Sequence, residues 1–274
     1  MALFRGTIPF TDKSEHFQLD IKDQIATITL NRPDKLNALT FQSYADLRDF
    51  LHEIPLRGDV RVIVIRGEGR AFSSGGDVNE IIGELLKMRP DELLDFTRMT
   101  GSVVKAMREC PVPIIAQIQG MAAGAGSVLA LASDFRILSK SARFAFLFTK
   151  VGLAGADMGS AYLLPRIVGL GRANDLLLTS RVILAEEAMT IGLVNAVLPD
   201  HAALVAHAYE YARSLAHDVS SGSLAATKRQ VALDLHRDLG SSVVEAAERL
   251  NTMMGEPAFA EGVAALNAKR PPSF

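Results

Sequence analysis

The 274-residue chain has one cysteine and no tryptophan. A lone thiol, Cys110, excludes an internal disulfide and any zinc site built from several cysteines, and it suits a reducing compartment. An excess of either charge is also missing. The 29 Lys and Arg residues face 31 Asp and Glu, a formal net charge of −2. That balance gives no electrostatic reason to expect a nucleic-acid partner or an anionic membrane. The first sixteen residues lack an apolar h-region, so no signal peptide is expected. The apolar run Pro111–Ala132 is interrupted by Gln117, Gln119 and three glycines, with Asp134 just beyond. It reads as a buried strand followed by a packed helix rather than a membrane span. A soluble, cytoplasmic protein is expected.

Apolar residues make up 49% of the chain and charged residues 22%, the balance of an ordinary globular protein. Phe17–Ile21 and Gln24–Leu30 read as a hairpin turning at Lys22-Asp23. Phe41–Ile54 carries apolar residues at helical spacing, and Val60–Arg66 and Val112–Ile118 are short Val/Ile-rich runs ending at glycines. Strand, glycine-containing turn and helix recur, which predicts an α/β fold with covered sheets. After Pro199 the pattern changes to four helices, over 201–217, 223–236, 243–254 and 257–269, with no strand between them. The expected division is therefore 1–199 for the α/β core and 200–274 for a helical region.

Two strand-to-glycine junctions carry the chemistry. The first is Arg70-Ala71-Phe72-Ser73-Ser74-Gly75-Gly76-Asp77, which leads into a helical segment near Val78, with Asp77 a good N-cap. The second, Gly120 to Ser127, runs into the apolar Val128–Ala132. Unpaired N–H groups at such junctions favour negative charge, and two of them converging would make an oxyanion hole. Neither junction fits the dinucleotide or P-loop fingerprint. Taken singly, each reads first as a structural turn, since glycine turns before helices are common. The six histidines, at 16, 52, 201, 207, 217 and 236, all lie outside this segment, which argues against a nucleophile–His triad or a His-rich metal site.

These residues resemble the enoyl-CoA hydratase/isomerase (crotonase) family over nearly the whole chain. The matching stretches include Ile28–Pro33, Lys35–Leu39, Ala71–Asp77, Pro111–Ala116, Gly120–Gly126, Leu131–Asp134, Leu164–Gly169 and Lys269–Pro271. The resemblance implies a spiral of ββα units, a C-terminal helical trimerisation region, and homotrimers or homohexamers. It also implies an acyl-CoA thioester as substrate, with coenzyme A entering as part of that substrate and no permanently bound cofactor or metal. The oxyanion donors would be the N–H groups of Gly76 and Ala125. Ala71, Ser73, Ser74 and Gly124 would line the path of the coenzyme, and Lys35 and Lys269 would approach its phosphates, the latter from a neighbouring subunit. For either lysine, a solvated surface charge is the alternative.

The departures from the family are as informative as the matches. Where hydratases of the family carry two glutamates that place a water, this chain has Val128 and Phe148, and neither can exchange a proton. Phe144, Phe146 and Phe148 would line an acyl pocket or form one buried strand face. Asp157 remains, at an offset from Arg166 that matches an acidic residue in ring-forming, dehalogenase and ring-opened isomerase branches. It reads either as a catalytic carboxylate or as the N-cap of a helix starting near Met158, and the two roles are compatible. Isomerisation by a single Asp is the leading expectation. Hydration, or hydrolysis or C–C cleavage of a cyclic or aromatic acyl-CoA, is the alternative, and a non-catalytic acyl-CoA-binding scaffold is the rival of another class.

Overall fold

In the computed structural model, residues 16–274 are described. The strands are β1 (Gln18–Lys22), β2 (Ile25–Leu30), β3 (Val62–Gly67), β4 (Ile114–Ile118), β5 (Met121–Ala123), β6 (Phe135–Ser139), β7 (Arg143–Ala145), β8 (Val182–Leu184) and β9 (Ala196–Leu198). The helices of the core are α1 (Phe41–Arg57), α2 (Gly83–Leu85), α3 (Pro90–Glu109), α4 (Ala125–Ala132), α5 (Ser160–Val168), α6 (Leu170–Thr179) and α7 (Ala185–Thr190). They are followed by α8 (His201–His217), α9 (Ser221–Asp234), α10 (Leu239–Met253) and α11 (Pro257–Ala268).

Two sheets run through the core. The larger has the order β1-β2-β3-β4-β6-β9 and is parallel except for the β1–β2 hairpin. Asp23 and Gln24, both at positive φ (52° and 62°), close that hairpin as a two-residue turn of the primed type requires. The smaller sheet is β5-β7-β8. It is extended by single parallel bridges, Ser73 to Ala122 and Leu39 to Gly76. The chain therefore repeats one path. It lays a strand in the large sheet, touches the small sheet, then forms a helix, as in β4-β5-α4 and β6-β7-α5. The first turns follow the same path with only an isolated bridge in place of the second strand.

The large sheet is covered on both faces, which explains its unbroken apolar runs. Val62 and Val64 pack with Ile25, Ile115 and Ile137 against Leu204, Ala208, Ala212 and Ala216 of α8. Their alternates Ile63 and Ile65 face the main core, with Leu47, Leu51, Val103 and Met107 of α1 and α3. Each large apolar side chain so buried contributes on the order of 1.5–3 kcal/mol. The small residues on α8 let that helix lie close to the sheet. The expected boundary at 199/200 thus falls at the start of α8, a helix that itself covers the sheet.

Beyond α8 the helices stand off the core. No residue of α9 or α10 is buried, and α11 buries only Ala265. One buried anchor ties α9 down: the Lys228 ammonium bonds the carbonyls of Met107 (3.2 Å) and Val112 (3.0 Å) and pairs with Asp134 at 2.7 Å. Asp134 also accepts from the Ile114 N–H at 2.8 Å, a structural role.

Candidate active site

The first junction folds against the second because its backbone takes part in the small sheet. The N–H groups of Phe72 and Ser73 donate to the Met121 carbonyl, and the Ala123 N–H donates to that of Ser73 at 2.9 Å. On the other side, Ser74 N–H bonds the Leu36 carbonyl and Leu39 N–H bonds that of Gly75. Ser73 is fully buried. Its hydroxyl donates to the Asn37 carbonyl at 2.9 Å and accepts from the Gly75 N–H at 3.2 Å. Gly75 (φ 94°) and Gly124 (φ 51°) take backbone conformations that suit glycine, and they meet across the junction.

This packing leaves two donors free. Gly76 is itself the bridge partner of Leu39, and Ala125 is the first residue of α4. Among the described residues neither N–H has a protein acceptor, whereas Gly124 N–H is satisfied by the Ala145 carbonyl at 2.9 Å. Gly76 and Ala125 occupy equivalent points on successive turns of the spiral, each just after contact with the small sheet and at the start of a helical segment. Both are fixed backbone dipoles, that of Ala125 at a helix N-terminus, which is the kind of donor an oxyanion hole uses.

The neighbouring carboxylates are structural. Asp77 caps the next segment, accepting from the N–H groups of Asn79 (2.9 Å) and Glu80 (3.0 Å). Those bonds hold its pKa below the usual carboxylate range, with the Arg32 guanidinium assisting. Arg32 also pairs with Glu80 at 2.5 Å. An ionised, capped and paired carboxylate is a poor proton shuttle.

Asp157 differs. Burial pushes its pKa up, opposed by one hydrogen bond from the Met158 N–H at 2.9 Å. It does not cap a helix starting at Met158. That residue sits at φ 50°, the helix α5 begins at Ser160, and its N-cap is Gly159. The turn bearing Asp157 packs on α3 and α4, the helix that presents Ala125. Nothing in the sequence pattern marked Tyr44 for this place. Buried on α1, its ring lies edge-to-face with Phe96 of α3 at 6.2 Å, and its hydroxyl pKa is raised by burial and by the charge of Asp157. Tyr44 belongs to the apolar stripe of its helix, so no pattern distinguished it from a core residue.

The other expected residues are placed as follows. Val128 is 0% and Phe148 5% exposed, both inside the main apolar core. Phe144 and Phe146 are buried in the same core. Ser74 lies beside Lys35, whose carbonyl accepts from the Ser74 hydroxyl at 3.4 Å, and the Lys35 side chain is exposed. The Ala71 carbonyl is engaged by the Asn37 amide at 2.8 Å. Lys269 is not brought to this site within the chain. It ends α11, and the carboxy-terminal Phe274 carbonyl accepts from Arg61 at 3.0 Å, at the start of β3, whereas the first glycine loop follows the end of that strand. Among the described residues no group of three or more His, Cys, Asp or Glu is placed to hold a metal ion.

The family model for enoyl-CoA hydratase/isomerase matches residues 20–274. The chain belongs to that family. It is an enzyme of the hydratase/isomerase group, and its fold is the crotonase spiral. A Rhodobacter capsulatus relative named probable enoyl-CoA hydratase is 37% identical over 258 residues, covering 93% of this chain and 96% of the relative. The 1,2-epoxyphenylacetyl-CoA isomerase of Escherichia coli K12 is 32% identical over 263 residues, with coverage of 93% and 96%. A crystal structure from Streptomyces coelicolor A3(2), provisionally described as an enoyl-CoA hydratase, superposes with a TM-score of 0.95 at 50% identity, covering 100% of this chain and 99% of that one. Members of the family act on CoA thioesters. Among the described residues no helix is long and apolar enough to cross a membrane.

Proposed function

We propose that this enzyme isomerises an acyl-CoA thioester with one carboxylate as its acid–base group. The Gly76 and Ala125 N–H groups hold the thioester oxygen. Asp157 takes a proton from a carbon conjugated to the carbonyl, the electron pair moves onto that oxygen, and the carboxylic acid returns the proton at another carbon. No water is added, and the carboxylate is regenerated. The observation that carries the reading is the contrast among three positions. Val128 and Phe148 are apolar and sealed in the core, while Asp157 is the desolvated carboxylate beside the helix that bears Ala125. General acid–base catalysis contributes roughly 10²–10⁴-fold, so hydration without the two glutamates would be slow.

Hydration is the second reading, favoured by the name of the R. capsulatus relative. To separate the two, the protein is incubated in D₂O with enoyl-, 3-hydroxyacyl- and aryl-CoA thioesters and the products are weighed by mass spectrometry. Deuterium uptake without a gain of water, lost in Asp157→Asn, is the expected result. Rapid hydration of crotonyl-CoA that survives Asp157→Asn would overturn it. Affinity for acyl-CoA with no exchange or turnover would favour a binding scaffold instead.

The assembly we propose is a homotrimer or homohexamer built through α9–α11, in a reducing compartment such as the cytoplasm. Support comes from apolar side chains that these helices leave in water, including Val243 (58% exposed), Leu250 (57%) and Phe259 (50%). Lys35, and Lys269 of a neighbouring subunit, would meet the coenzyme phosphates.

A further inference from the structure

Tyr44 carries a hydroxyl that the fold does not use. Of the four tyrosines it alone belongs to the main apolar core, at 3% exposure. Tyr162 and Tyr209, nearer the surface, bond His236 (2.7 Å) and Asp23 (2.6 Å) through their hydroxyls. The Tyr44 hydroxyl has no hydrogen-bond partner among the described residues. Burial and the charge of Asp157 act on it instead, and both raise its pKa, so the phenol stays a donor. An unmade bond at a buried hydroxyl costs stability. Phenylalanine would fill the same space without that cost, so packing alone does not account for a tyrosine here.

Its position is tied to the oxyanion donors from two sides. Leu39 is the bridge partner of Gly76, and Thr40, the next residue, caps α1. Ser43 N–H donates to Thr40 Oγ1 at 3.2 Å, and the Tyr44 N–H donates to the Thr40 carbonyl at 3.2 Å. Tyr44 is thus held by the cap that starts just after the Gly76 bridge. On the other side, the turn bearing Asp157 packs on α4, which presents Ala125, and on α3, whose Phe96 meets the Tyr44 ring. Asp157 accepts from the Met158 N–H and makes no bond to Tyr44. A protonated phenol and a carboxylate therefore lie within range of each other's charge, with no hydrogen bond between them.

We propose that Tyr44 determines specificity by donating a hydrogen bond to an oxygen on the acyl group, so that the preferred substrates are acyl-CoA thioesters with an oxygenated ring. The inference rests on the acyl-CoA reading above. A flat ring suits the aromatic edges and faces that Tyr44, Phe96 and Phe41 present to one another, the Phe41 and Phe96 centroids being 5.1 Å apart. The oxygen satisfies the phenol, and Asp157 is left to meet a neighbouring C–H.

Titration calorimetry, and deuterium exchange at the α-carbon in D₂O, compare phenylacetyl-CoA with its 2-, 3- and 4-hydroxy derivatives on the wild type and on Tyr44→Phe. One hydroxy isomer is expected to bind the wild type at least about 10-fold more tightly than phenylacetyl-CoA, because it pairs the buried phenol. Tyr44→Phe should bring those two affinities within about 2-fold of each other, since neither ligand then finds a donor. It should also melt no lower than the wild type. A merely structural role for the hydroxyl would weaken all four thioesters alike and leave their ratios unchanged. No preference among the four in the wild type, or a preference that survives Tyr44→Phe, would each overturn the proposal. Failure of the Asp157 mechanism shows separately, as exchange that survives Asp157→Asn while the affinity split at Tyr44 remains. Absence of binding by all four would overturn the acyl-CoA reading as well.

Discussion

The α-carbon of Gly75 faces the Ala123 carbonyl so closely that a Cβ on it would stand 2.8 Å from that oxygen and 3.2 Å from the Ala125 nitrogen. Both would-be contacts are backbone, so nothing flexible can yield. Gly75 also sits at φ 94°, where L side chains are strained. Gly75→Ala is expected to cost about 2–4 kcal/mol in urea unfolding. By parting the two free N–H groups, it should lower kcat/KM by about 10²-fold even in the folded fraction.

For Asp157→Asn, activity and stability should move in opposite directions. The proposed proton transfer loses ~10²–10⁴ in kcat, while Asn can still accept the Met158 N–H bond. Because burial raises the Asp157 pKa, the folded chain holds this proton more tightly than the unfolded chain, whose value is about 3.9. Stability from this group therefore declines as pH rises from the unfolded to the raised folded value, and the ionised form is a net cost at neutral pH. The variant should melt no lower than wild type at pH 7, with any advantage gone below about pH 4. The acid limb of kcat/KM for the wild type should fall above about 3.9.

Lys228 is 8% and Asp134 14% exposed in side-chain area, so their pair is shielded from solvent. Lys228→Met leaves two carbonyls without this donor and takes one partner from Asp134, which keeps the Arg108 guanidinium at 3.2 Å and the Ile114 N–H, at a cost of about 1–3 kcal/mol. Chemical denaturation reads the loss. At low temperature, kcat per folded molecule should be unchanged, because this anchor holds α9 to the core rather than the catalytic loops.

Val243→Asp with Leu250→Lys tests the assembly. No residue of α10 is buried within the chain, so the monomer should keep its circular dichroism. Light scattering should show the assembly falling apart. An unchanged mass would place the subunit contact elsewhere.

How far the sequence could be read depended on the range of the interactions. The hairpin, α1 and the four last helices follow from short-range periodicity, and α8 matches its expected span of 201–217. The 20-residue α3 went unrecognised because its exposed first turns blur its apolar stripe, which is buried only from Thr100 onward. Gly76 and Ala125 were legible as a pair only through the resemblance, since the bridges that align them, Ser73 to Ala122 and Leu39 to Gly76, join residues distant in sequence. The approach of Tyr44 to Asp157 lay beyond reach for the same reason. Their elements meet only after the spiral closes.

That spiral has a consequence for how such an enzyme changes. The gap between the two free donors is set by its pitch, one parallel step from the Ser73 turn to the Ala122 turn, and side chains do not define it. Residues such as Val128, Phe148 and Asp157 can therefore be exchanged like tools in a fixed chuck. Under the proposed mechanism, the grip on the carbonyl would stay constant while the reaction performed on its neighbouring carbons is rewritten.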